Sequence, residues 1–284
     1  LLKNPVRKKK VIGYTGKNSV LAKSFIKEYS TKFIFKKYKK NINDIESFKK
    51  WIHDNKNLNI LINFAAITST SKCNKNKKLA LKTNYTSPIK MMKVINNSKL
   101  KNFDYFLSIS SCHVFKKSYR KLNEYSKKIP DNYYGKTKLK LENYITNNKN
   151  NFSFKIGVAR IFNYYNYGIK SGFFINDVIK KLTNKNNLIK FKKINTFRDF
   201  ISINDINKAL FKMIKIKYNN DLNICSGKKT FLPFVINLLN KKLRNKKIIF
   251  DKSKIPGYFG SNNRLKKINW CNNLKYNLAD EIIK

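Results

Sequence analysis

The chain has 284 residues, 42% of them hydrophobic and 14% aromatic, with 63 Lys+Arg against 15 Asp+Glu for a formal net charge of +48. That apolar content supports a buried core and excludes a disordered chain, and no run approaches the ~20 apolar residues of a membrane span, so membrane insertion is not expected. Cys73, Cys112, Cys225 and Cys271 form no CxxC pair, which argues against a disulfide framework or zinc site and points to free thiols in the cytoplasm.

Apolar runs alternate with helix-like stretches, which predicts βαβ units and an α/β fold with a doubly wound parallel sheet of Rossmann type. Val11 to Tyr14 reads as a first strand, Thr15 to Ser19 as a turn and Val20 to Tyr29 as a helix. Phe33 to Phe35 is a short strand and Ile45 to His53 a helix with Phe48, Trp51 and Ile52 on one face, His53 being on the solvated side. A buried strand over Asn59 to Ala66, a helix over Leu79 to Asn96, a strand over Phe103 to Ser110, a helix over Tyr133 to Ile145 and a strand over Phe154 to Phe162 follow. Beyond this the pattern loosens. Residues 1–162 are expected to form an NAD(P)-binding domain. Residues 163–284 are expected to form mainly a smaller substrate-binding lobe, part of it returning to the sheet.

The turn Tyr14-Thr15-Gly16-Lys17-Asn18-Ser19 joins a strand to a helix, where a pyrophosphate can rest on the helix N-terminus. Its glycine pattern is degraded: Gly16 is present, while Ser19 and Ala22 stand at later glycine positions, and Gly13 with Gly16 offers a second register. An ordinary strand–turn–helix remains the alternative. After the second strand come Lys36 and Lys37, with no acid until Asp44. A cation there suits the 2′-phosphate of NADP better than the ribose hydroxyls of NAD, although a Lys-rich chain offers lysines everywhere.

The strongest constellation is Ser110-Ser111 followed by Tyr134-Gly135-Lys136-Thr137-Lys138, with Glu142 four residues on. Tyr134 and Lys138 are one helical turn apart and share a face. A free tyrosine has a pKa of about 10, and a nearby ammonium favours its phenolate. Tyr134 is then suited to exchange a proton with a sugar hydroxyl or carbonyl, with Ser111 hydrogen-bonding the same oxygen.

In these motifs the chain resembles the extended short-chain dehydrogenases/reductases of the NAD-dependent epimerase/dehydratase type, which act on nucleotide sugars. Matching segments are Asn63-Phe64-Ala65-Ala66, Asn84, Ser110 to Phe115, Tyr134 to Leu139, Arg160 to Asn163 with Gly168, Arg198 to Asp205, and Asn223 to Gly227. The resemblance implies Ser111, Tyr134 and Lys138 as catalytic residues. It also implies cofactor contacts from Gly13, Gly16, Ser19, Lys36, Lys37, Ala65, Ala66, Asn84, Tyr134 and Lys138. Substrate contacts would come from Ser111, His113, Asn163 and Arg198. Arg198 would bind the diphosphate of the sugar nucleotide, or else pair with Asp199 or Asp205.

Sugar 4,6-dehydratases of this family carry an Asp-Glu pair after the Ser, where this chain has Cys112-His113. The segment is more similar to the dTDP-4-dehydrorhamnose reductase branch. The implied reaction is reduction of a 4-keto-deoxy sugar nucleotide with NADP, or with NAD, and Tyr134 as the acid. His113 is either an additional acid or structural. The alternatives are a nucleotide-sugar 4-epimerase with tightly bound NAD and, from another class, a non-catalytic basic binding protein. The family often dimerises through the helix bearing the Tyr, so a homodimer is expected.

The charge has two readings, a nucleic-acid or anionic-membrane partner and codon bias, and the composition favours the second. Only Arg7, Arg120, Arg160, Arg198, Arg244 and Arg264 are arginines; the rest of the basic residues are lysines, spread along the chain and accompanied by abundant Asn. A-rich codons inflate Lys and Asn together, whereas phosphate and base readers favour the arginine fork. No specific nucleic-acid partner is expected, though the field draws anionic substrates. Leu1 to Lys10 is basic with no apolar block after it, so no secretory leader is expected, and with no starting Met an upstream start is expected.

Overall fold

The computed structural model of the chain describes residues 8–165, 173–243 and 245–271; Gly168 lies outside them. The first half builds the alternation that the hydropathy predicts. Its elements are β1 (Val11–Thr15), α1 (Val20–Tyr29), β2 (Ile34–Lys37), α2 (Ile45–His53), β3 (Ile60–Asn63), α3 (Thr70–Lys75), α4 (Lys77–Leu81), α5 (Ser87–Asn97), β4 (Tyr105–Ser111), α6 (Tyr133–Asn148) and β5 (Lys155–Ile161). The looser second half forms β6 (Asn163–Tyr165), α7 (Phe173–Thr183), β7 (Leu188–Phe191), β8 (Phe197–Arg198), β9 (Phe200–Ser202) and α8 (Ile203–Ile216). It ends in β10 (Asp221–Ile224), β11 (Thr230–Phe231), α9 (Leu232–Leu243), β12 (Lys247–Phe250) and α10 (Asn263–Lys267).

The central sheet has six strands in the order β10-β5-β4-β3-β1-β2. β1 pairs in parallel with β2 and with β3, and β3 in parallel with β4. From β1 the chain steps outward to β2 and then returns to the other side as β3. The strand order therefore reverses at β1/β3, and the crevice beyond the carboxyl ends of these two strands is where such sheets bind ligands. This is a Rossmann-type α/β sheet, as the sequence implies.

The chain divides into two units. One comprises Leu1–Ser110, Asn132–Ala159 and Met213–Asp221; the other comprises Ser111–Asp131, Arg160–Lys212 and Leu222–Lys284. In the first, α2 lays Phe48 and Ile52 against Leu58 and Leu61 of the sheet, and Met91 and Met92 of α5 join the same core. Each such side chain contributes about 1.5–3 kcal/mol through apolar burial. In the second, Ile175, Val178 and Leu182 of α7 pack with Val235, Ile236 and Leu239 of α9. The same unit holds small paired strands: β6 with β9, β7 with β12, and β8 with β11. Among the described residues no helix is long and apolar enough to cross a membrane.

Three boundaries differ from expectation for physical reasons. β2 extends through Lys36 and Lys37, which lie opposite Gly13 and Tyr14. β3 stops at Asn63 rather than Ala66, because Ala65 N–H turns away from the sheet to donate to Thr15 Oγ1 at 3.2 Å. The helix expected over Leu79 to Asn96 is broken into α4, a π-turn over Lys82–Thr86, and α5. Pro88 has no N–H to give the Asn84 carbonyl four residues back, and its ring crowds that carbonyl, so the ladder opens there.

Candidate active site

The β1–α1 turn is built around Gly16, whose φ is +76°. A Cβ there would come within 2.8 Å of Ala65 N and of the Phe64 carbonyl carbon, so only glycine allows the β1 and β3 ends to approach this closely. Ser19 caps α1, accepting from Ala22 N–H at 3.3 Å, while its own N–H donates to Gly16 C=O at 2.8 Å. The degraded glycine is therefore a cap that closes the turn. Gly13 is different: a Cβ would strike Trp51 at 2.8 Å and Leu61 at 2.9 Å. Its missing side chain makes room for α2 on the sheet, a packing reason for glycine at this position.

Thr15 Oγ1 donates to Asn63 Oδ1 at 2.6 Å and fixes the two strand ends to each other. Asn63 Nδ2 is buried without a hydrogen-bond partner among the described residues. Ala65 and Ala66 are half-buried just beyond it, and Lys36 and Lys37 stand exposed at the end of β2. A close-approach glycine, the N-terminal amides of a capped helix and an unused buried donor at a strand-order reversal fit a dinucleotide diphosphate.

Asn84 has a structural role within the first unit. It is fully buried on the π-turn. Its Oδ1 accepts from Ile67 N–H at 2.8 Å, and its Nδ2 donates to Ile67 C=O at 3.0 Å and to Thr137 Oγ1 at 3.1 Å. Both amide hydrogens are spent, so none is left for a cofactor. Asn84 instead ties the loop after β3 to α6. Asn84→Ala should lower unfolding stability by on the order of 3 kcal/mol, since it strands buried backbone groups of Ile67; a shift of the urea midpoint at unchanged slope measures this.

α6 starts at Asn132, whose side chain accepts from Gly135 N–H at 2.9 Å. Tyr134 is buried against Cys73 and Ala80. One turn on, Lys138 is 3% exposed and donates through Nζ to Ile109 C=O at 2.8 Å. Burial pulls the Lys138 ammonium down to about 8, while Glu142 and Cys73 draw it back up. The helix thus presents a phenol and a desolvated amine from one face.

The other candidates lie in the second unit. Ser111 ends β4, and its Oγ accepts from His113 N–H at 3.3 Å, which starts a short 3₁₀ turn over Cys112–Val114. The His113 ring leans on Tyr258 with centroids 5.0 Å apart. Burial and the cations of Arg198 and Lys117 push His113 down to about 4, against a small opposing pull from Asp131. His113 is therefore neutral at pH 7 and is no imidazolium acid. Tyr258, which sequence reasoning missed, is held by a backbone bridge to Arg198. Only its ring type marks it in the sequence.

Arg198 stacks over Phe174 at 4.7 Å. The alternative pairing with Asp199 fails, because that carboxylate accepts from Ser226 N–H, Ser226 Oγ, Gly227 N–H and Gly260 N–H at 2.7–3.2 Å. Asp205 bridges Lys208 at 3.6 Å. Among the described residues no carboxylate lies at ion-pair distance from Arg198, which leaves its guanidinium available to an anion. Asn163 Nδ2 is buried without a partner among the described residues.

The low His113 value has a consequence for stability. The unfolded imidazole titrates near 6.5 and the folded one near 4. Between those values the unfolded chain binds more protons, so stability falls as pH drops through that window. His113→Phe keeps a ring against Tyr258 and removes the titration. Denaturant titrations from pH 7 to 4 should show the wild type losing on the order of 3 kcal/mol more than the variant.

A Rossmann-type sheet with a glycine turn at its reversal and a Tyr-x-x-x-Lys helix beside it defines a class, the nicotinamide-dependent short-chain enzymes. The comparisons narrow this. The sequence model of the NAD dependent epimerase/dehydratase family matches residues 8–225, and the chain belongs to that family. A curated relative, GDP-6-deoxy-D-talose 4-dehydrogenase of Aggregatibacter actinomycetemcomitans, is 30% identical over 99 residues, which is 34% of this chain and about a third (33%) of the relative's length. Among solved structures, RMD from Pseudomonas aeruginosa complexed with NADPH superposes with a TM-score of 0.83 at 18% identity, over 96% of each chain. The UDP-glucose 4-epimerase of Thermus thermophilus, in complex with NAD, gives 0.80 at 11% identity, also over 96% of each chain.

Proposed function

We propose that the chain is an NADP-dependent reductase of a nucleotide-linked 4-keto-deoxy sugar. The observation that carries this reading is the pairing on α6 of buried Tyr134 with buried Lys138, whose Nζ is pinned to Ile109 C=O. Gly16, Ser19, Ala65 and Ala66 would hold the diphosphate, and Lys36 and Lys37 the 2′-phosphate. A reduced nicotinamide held there would be the source of the hydride that the C4 carbonyl carbon takes up. Tyr134 gives its phenolic proton to the carbonyl oxygen, so ketone becomes alcohol, and Lys138 holds the resulting phenolate. Ser111 hydrogen-bonds the same oxygen. Arg198 binds the sugar-nucleotide diphosphate, and Asn163 and neutral His113 orient the sugar.

Relatives of this fold are seen with NADPH and with NAD, and the curated relative is by name an enzyme of C4 of a 6-deoxy sugar nucleotide. Both fit the reading. The test mixes pure protein with NADPH and 4-keto-6-deoxy sugar nucleotides and follows loss of nicotinamide absorbance. Turnover supports the proposal; bound cofactor without turnover rejects it. Co-purified NAD with no net cofactor use would instead mark a 4-epimerase. A homodimer remains part of the proposal, read by light scattering.

A further inference from the structure

We propose that Glu142 and Ser110 form a buried positioning pair that holds the Lys138 side chain charged and in place, so that the cation beside Tyr134 depends on a carboxylate one turn further along α6. The inference rests on reading Tyr134 and Lys138 as the proton-transfer pair, and it adds residues that no role has yet been given.

Residues 134, 138 and 142 are four apart and lie along one stripe of α6. Lys138 is 3% and Glu142 4% exposed. An ammonium at that depth loses its proton unless a countercharge lies close by. Two groups act electrostatically on it. One is Glu142; the other is Cys73 of α3, whose thiol donates to Ile67 C=O at 3.2 Å. Burial raises the Cys73 thiol above its ordinary value, with Lys138 and Asn84 opposing. The sulfur is therefore protonated at neutral pH, and the countercharge falls to Glu142. Tyr134, on the same helix, is the remaining titratable group on this stripe.

β4 completes the arrangement. Ile109 and Ser110 are consecutive, and each engages α6: the Ile109 carbonyl accepts from Lys138 Nζ at 2.8 Å, and Ser110 Oγ donates to Glu142 Oε1 at 2.5 Å. That bond fixes the orientation of the Glu142 carboxyl group against the strand. The strand thus grips the amine with a backbone oxygen and steadies its countercharge with the neighbouring hydroxyl. Were Glu142 only an anchor for α6, its loss would leave the Lys138 titration where it is.

The test is lysine ¹³Cε NMR of the full chain without cofactor, titrated from pH 6 to 11. One lysine should titrate well below the rest, near 8, and its signal should vanish in Lys138→Met. Glu142→Gln should move that midpoint down by at least ~1 pH unit. Glu142→Asp should restore part of the shift, and Ser110→Ala should move the midpoint a smaller distance the same way. Ser110→Ala is nearly isosteric and decides the matter if Glu142→Gln does not fold. An unmoved midpoint in a folded variant overturns the proposal, as does the absence of any early-titrating lysine in the wild type. In turnover, the basic limb of kcat/KM should shift with the midpoint. A chain showing the NMR shift but no activity on any sugar nucleotide would keep the Glu142 assignment and lose the proposed reaction.

Discussion

Tyr134→Phe should lower kcat by about 10²–10⁴-fold while leaving cofactor affinity within a factor of two. The change removes one oxygen and nothing else. The ring stays packed against Cys73 and Ala80, and Thr137 still donates to the Tyr134 carbonyl at 2.7 Å, so α6 keeps its first turn. Lys138 keeps its bond to the Ile109 carbonyl and its position. What is lost is the proton donor for the carbonyl oxygen, and water is a poor substitute for an acid held on a rigid helix. Steady-state kinetics with NADPH, beside a fluorescence titration of cofactor, separate the two quantities. A variant that retains a tenth or more of wild-type kcat would remove Tyr134 from the chemistry. A variant that loses cofactor binding as well would show that the hydroxyl organises the crevice rather than acting on the substrate.

This helix is legible in the sequence because spacing is a local property. Tyr134 and Lys138 four apart, with Asn132 at the cap, specify one face whatever else the chain does. The sheet is legible for a similar reason: β1, β3, β4 and β5 are short apolar runs bounded by polar turns, and the chain order of strand and helix dictates parallel pairing. What stays hidden depends on partners distant in sequence. The pattern around Gly13 cannot show that Trp51, some forty residues on, fills the space above it. The motif around Asn84 gives no sign that Ile67 and Thr137 take both of its amide hydrogens. Pro88 is the one local clue to the π-turn, and the helical spacing around it masks the break. His113 has the chemistry of an acid until its burial beside Arg198 and Lys117 makes the charged form unfavourable. In the second half, elements such as β8 and β11 span two residues each and carry no period long enough to read.

Gly16→Ala should weaken cofactor binding at least ~10-fold and lower the melting temperature, whereas Ser19→Gly should barely change the melting temperature, because a glycine at an N-cap costs only a few tenths of a kcal/mol. The contrast follows from what each residue supplies. At Gly16 the backbone sits at φ +76°, a conformation that costs an L-residue about 1–2 kcal/mol. The added methyl would also lie 2.8 Å from Ala65 N and from the Phe64 carbonyl carbon, which are backbone atoms and cannot swing aside. Relief requires the β1 and β3 ends to part, and that breaks the Thr15–Asn63 bond of 2.6 Å and the Ala65–Thr15 bond of 3.2 Å. The same ends frame the crevice where the diphosphate would rest, so stability and affinity should fall together. At Ser19 the replacement loses only a 3.3 Å cap bond to Ala22 and leaves the turn's path unchanged, since Ser19 N–H still reaches Gly16 C=O. Thermal melts and NADPH titrations of the two variants check both halves. Cofactor affinity in Gly16→Ala within twofold of wild type would mean that the dinucleotide does not approach this turn, and the reading of the β1–β3 crevice as its seat would fail.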